Sequence, residues 1–108
     1  MYKTIFIKQI FNAREPGPRA EFAVFRRQEV LPFAPCPGHE FFWGDGAAQK
    51  IRAATWNVAE SYFSCTVEDV YADPYSIDGP DFEELVEDAK HSGWALVRVF
   101  DPANRRPS

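Results

Sequence analysis

The chain has 108 residues, enough for one core without staples and too few for several domains. A formal charge of −4 opposes non-specific attraction to phosphate backbones, and ten phenylalanines against one methionine point to a core of rigid rings. No stretch approaches the roughly 20 apolar residues of a membrane span, Lys3 and Lys8 interrupt the apolar amino terminus, and Cys36 and Cys65 without a leader read as reduced thiols, so a cytoplasmic protein is expected.

Residues 3–11, "KTIFIKQIF", are rich in β-branched and aromatic side chains and read as a strand. "NAREPGPR" (12–19) is a loop, and "AEFAVFRRQEVL" (20–31) is a second strand expected to pair with the first. Pro32, Pro35 and Pro37 cannot donate to a ladder, which ends that strand near Leu31. "EFFW" (40–43) is a short strand, turned by "GDG" (44–46) into "QKIRAATWNV" (49–58). In "SYFSCTVEDVY" (61–71), Phe63, Cys65, Val67 and Tyr71 share the parity expected to face inward, and Ser64, Thr66 and Glu68 the other.

"ADPYSIDGPD" (72–81) leads into a helix over about 80–92, with Pro80 at its first position and Asp81, Glu83 and Glu84 complementing the dipole. Phe82, Leu85, Val86 and Ala89 form its apolar stripe, and Gly93 suits a left-handed end. "WALVRVF" (94–100) reads as a strand buried on both faces, and 101–108 as a frayed tail of a single domain spanning 1–108. The order predicts an α+β fold: a small, twisted, mainly antiparallel sheet or partly open barrel of five to six strands, with the helix packed across it.

The segment "LPFAPCPGHEFFWGDG" (31–46) holds Cys36 and His39 as C-x-x-H. With Cys65 and His91 these make up a countable Cys2His2 set, but the latter two lie 26 residues apart and form no second knuckle. A Cys36/His39 nucleophile–base pair, oriented by Glu40, is the other chemical reading; the sequence places no cation or helix N-terminus beside the thiol. The prolines instead end a strand, Pro37-Gly38 turns the chain, and Phe41, Phe42 and Trp43 cover an end of the core. No catalytic residue, metal or cofactor is therefore expected. Neither G-x-G-x-x-G nor a P-loop nor a G-x-S-x-G elbow occurs.

Charge is more informative. Residues 1–52 carry 8 Lys or Arg against 5 Asp or Glu, and residues 53–108 carry 4 against 11. Nine acids and no base lie in 68–88: Glu68, Asp69, Asp73, Asp78, Asp81, Glu83, Glu84, Glu87 and Asp88. A solvated helix face commonly mixes signs, whereas Glu83/Glu87 and Glu84/Asp88 repel at i, i+4. Of these acids, Glu68, Asp69, Asp73, Asp81, Glu84, Glu87 and Asp88 are the expected contacts of a protein partner with a basic surface.

In size and charge the chain resembles small phage- or mobile-element-encoded inhibitors that occupy basic, nucleic-acid-binding surfaces. The resemblance implies a non-enzymatic inhibitor or adaptor. The alternative is a nucleic-acid-binding module on the first hairpin, where Lys3, Lys8, Arg14, Arg19, Arg26 and Arg27 are interleaved with Phe6, Phe22 and Phe25.

Overall fold

The computed structural model describes residues 1–13, 21–43, 48–72, 79 and 81–100. Arg14, Arg19, the 44–46 turn, Asp73, Asp78, Pro80 and the tail lie outside the described residues. The chain is an α+β fold with the order β1 (Tyr2–Phe11), β2 (Phe22–Leu31), β3 (Glu40–Phe41), β4 (Gln49–Asn57), β5 (Tyr62–Val67), β6 (Val70–Tyr71), α1 (Phe82–His91) and β7 (Ala95–Phe100). Hydrogen-bonded neighbours follow the order β3-β4-β5-β1-β2-β7, with β6 also on β1.

The sheet is mixed. β1 runs parallel to β5 and β6, while β4 is antiparallel to β3 and β5. Seven strands replace the expected five or six because the 61–71 run divides at Glu68–Asp69 into β5 and β6. β5 reaches β1 only after three intervening strands, so no tight hairpin forces the pair to be antiparallel.

The described residues group into two compact units, and β1 and β2 contribute to both. The first comprises Met1–Lys8 and Arg26–Glu68. Its β1–β5 register sets Phe6 opposite Cys65, and both are fully buried, as are Thr4, Ile51 and Val67 of the same unit. The rings of Phe41 and Trp43 each meet Phe6 edge-on at 5.0 Å and stack on one another at 5.4 Å. Phe42 between them is 67% exposed, which corrects the expectation that all three rings cover the core: adjacent residues of an extended segment point to opposite sides. Between β4 and β5, Ser61 adopts a positive φ of 56°, and its N–H donates to the Asn57 carbonyl at 2.8 Å.

The second unit comprises Gln9–Phe25 and the described part of Asp69–Ser108. Ile10 and Phe11 of β1 pair with Val70 and Tyr71 of β6. Tyr71 is exposed on one side and stacks on Phe11 at 5.4 Å, so it does not face inward as the parity of 61–71 suggests; the break before β6 resets that parity. α1 starts at Phe82 rather than near Pro80. Asp81 is its N-cap, extended at φ −80° and ψ 173°, and its side chain accepts from the Glu84 N–H, one of the groups at the helix start with no partner inside the helix. Phe82, Val86 and Ala89 are buried and Leu85 is half-buried, as an i, i+4, i+7 stripe requires.

The helix ends in a Schellman motif. Gly93, at φ 98°, donates to the Lys90 carbonyl, and Trp94 donates to the Ala89 carbonyl at 3.0 Å. Trp94 is buried, and the chain passes directly into β7. β7 corrects the sequence reading most. Leu96, Val97 and Val99 are 36%, 54% and 46% exposed, on a strand that stands at the end of the strand order. No helix among the described residues is long and apolar enough to cross a membrane.

Candidate functional site

The acidic residues divide by what they do. The Asp81 carboxylate accepts the Glu84 N–H at 2.8 Å, and its carbonyl accepts the first helical bond from Leu85 at 3.1 Å. Asp81 is thus a helix cap first. Glu68 belongs to the first unit, is exposed, and donates its backbone N–H to the Lys50 carbonyl. Asp69, in the second unit, is half-buried, and its carboxylate accepts from the Tyr71 hydroxyl at 3.5 Å.

What the helix brings together is Glu83, Glu84, Glu87 and Asp88, all exposed on the side away from Phe82, Val86 and Ala89. Lys90 pairs with Glu87 at 3.3 Å, between side chains 43% and 59% exposed, where solvent screening leaves little attraction. The face therefore keeps most of its negative charge in water.

The same unit contains β7, whose exposed aliphatics the sequence reading assigned to the core. A signal for this was present. Arg98 sits between Val97 and Val99, and a charge inside an otherwise apolar strand is a common mark of an edge. The Arg98 guanidinium lies 4.3 Å from the centre of the Phe100 ring, which stacks on Phe22 at 4.9 Å.

Among the described residues the basic hairpin does not assemble a stacking platform. Phe6 and Phe25 are fully buried, and Phe22 is half-buried against Phe11 and Phe100. Lys3 and Arg26 are exposed and Lys8 is half-buried. Arg27 is engaged by Glu29 at 2.7 Å and lies 4.5 Å over the Trp43 ring.

Cys65 is fully buried in β5, where desolvation pushes its thiol from 9.0 up to about 11. His91 is exposed in the last turn of α1. Among the described residues no three His, Cys, Asp or Glu side chains converge as metal ligands would. Cys36 and His39, however, are brought together. Pro37 and Gly38 form a tight turn in which the His39 N–H donates to the Cys36 carbonyl at 3.1 Å and Gly38 takes φ 94°. The Cys36 sulfur lies 3.3 Å from His39 Nε2.

No protein-family model, curated protein or solved structure matches the chain.

Proposed function

We propose that the protein is a non-enzymatic protein-binding domain of the inhibitor or adaptor type, acting in the cytoplasm through its second unit on a partner with a basic surface. The observation that carries this reading is β7, an edge strand with Leu96, Val97 and Val99 open to water. An exposed edge with aliphatic side chains is a template for strand addition and a hazard unless something covers it. The acids of α1 supply the sign of the partner. Four exposed carboxylates in the same unit repel a second copy and attract a cationic surface, accelerating encounter at low salt.

The test is affinity capture from the native host, comparing the wild type with E84Q/E87Q/D88Q and with V97K. A partner with a basic surface should associate more slowly with the acidic-face variant, and the difference should shrink as salt rises. Substitution in β7 should instead speed dissociation. Equal capture by all three proteins would remove this unit from the account. Recovery of nucleic acid that is lost on replacing Arg26 would favour the hairpin.

A further inference from the structure

β7 stands at the end of the strand order, and among the described residues β2 is its one hydrogen-bonded neighbour. Ala95 to Val99 are all exposed, so the open edge offers backbone donors and acceptors as well as side chains. The two faces of this strand differ in chemistry. Alternation puts Leu96, Arg98 and Phe100 on one face and Val97 and Val99 on the other. The Phe100 ring stacks on Phe22 of β2 at 4.9 Å, and the Arg98 guanidinium lies 4.3 Å from the centre of the Phe100 ring. On the Phe22 side the edge is therefore apolar and carries a cation.

Ala23 and Phe25, on the opposite face of β2 from Phe22, are fully buried. Among the described residues of the second unit, α1 is the element besides the strands that can bury them. It turns Phe82, Val86 and Ala89 inward and packs against β7. Val97 and Val99 thus share their face with α1, yet both remain exposed. The helix carries the exposed carboxylates of Glu83, Glu84, Glu87 and Asp88, and its one lysine, Lys90, pairs with Glu87 at 3.3 Å. A strand added to β7 continues the alternation, with every second side chain on the α1 side and the rest on the Arg98 side. A lysine or arginine on the α1 side meets an excess of carboxylate. On the other side it meets Arg98.

On the reading that β7 is the partner surface, we propose that its ligand is an extended segment in which cationic and aliphatic residues alternate. The cations face α1, and the aliphatics pack beside Leu96. Reversing the direction of the added strand keeps the alternation, so parallel and antiparallel addition both satisfy it. A segment of the same composition in blocks does not. In either direction it sets a cation against Arg98 and an aliphatic side chain among the carboxylates.

The experiment titrates the folded, isotope-labelled chain at low salt with capped six-residue peptides, matched to the length of β7, and follows backbone amide shifts. The peptides are "KVKVKV", "KKKVVV" and "EVEVEV". The expected result is that "KVKVKV" shifts the amides of Ala95–Phe100 and binds about fivefold more tightly than "KKKVVV", as one exposed ion pair gained and one repulsion avoided imply, while "EVEVEV" shifts nothing. R98E should strengthen binding of "KKKVVV" and narrow the gap, and E84Q/E87Q/D88Q should weaken binding of "KVKVKV"; all four positions are exposed, so the fold is retained. Equal binding by "KVKVKV" and "KKKVVV", shifts confined to α1, or no binding by any peptide would each overturn the alternation. Capture from the native host is decided separately: if the acidic-face variant and V97K still lose the partner there, its basic surface stands and only the extended, alternating form is refuted.

Discussion

Replacing Asp81 separates a structural carboxylate from a recognition carboxylate. Its side chain accepts the Glu84 N–H at 2.8 Å, one of the N–H groups at a helix start that have no partner within the helix. Removing such a cap in D81A should cost about 1 kcal/mol, within a range of about 0.5–2. Asparagine caps as well as aspartate, so D81N should lose only the charge–dipole part, about 0.3 kcal/mol at an exposed end. In a domain of this size D81A should lower Tm by about 4–8 °C and D81N by about 1–2 °C. Urea and thermal unfolding followed by far-UV dichroism read both. Capture of the partner from native-host extract should be near wild-type for D81N, because the charge that matters sits on Glu84, Glu87 and Asp88. If D81A melts with the wild type, the cap contributes nothing and the geometry at Asp81 has been misread. If D81N is stable but loses the partner, Asp81 belongs to the recognition surface after all.

Phe6→Ala should destabilise by about 3–5 kcal/mol, since it empties a fully buried ring site and leaves Phe41 and Trp43 without their edge-on neighbour. Phe42→Ala, at a 67% exposed position, should change the urea midpoint little. Cys65 makes stability depend on alkaline pH. The fold keeps its thiol protonated up to about 11 while the unfolded chain ionises near 9.0, so this contribution is whole below pH 9.0 and is lost as pH rises through about 11. The loss should be on the order of 3 kcal/mol, at about 1.4 kcal/mol per unit, and urea titrations across that window should show it flattened in C65A. Val97→Lys, on the exposed edge, should leave Tm almost unchanged while abolishing any concentration-dependent association seen by sedimentation; a large fall in Tm would mean that β7 is part of the core.

Local physics made much of this protein legible from its residues. The strand at 49–57, the inward parity of Cys65 and Val67, the apolar stripe of α1 and the left-handed Gly93 all follow from period, capping chemistry and glycine's tolerance of positive φ. The acidity of α1's outer face follows as well, because once Phe82, Val86 and Ala89 point inward, Glu83, Glu84, Glu87 and Asp88 must point outward. Only the tertiary structure decided matters that depend on neighbours distant in sequence. In an almost continuously apolar run such as 94–100 the one hint of an edge is Arg98, and it was the strand order that put β7 at the end. The direction of β5 against β1 depends on connections that periodicity does not encode. The meeting of the Cys36 sulfur with His39 Nε2 depends on a two-bond attachment of the turn to Ile51, twelve residues beyond His39, which no reading of "CPGH" by itself contains.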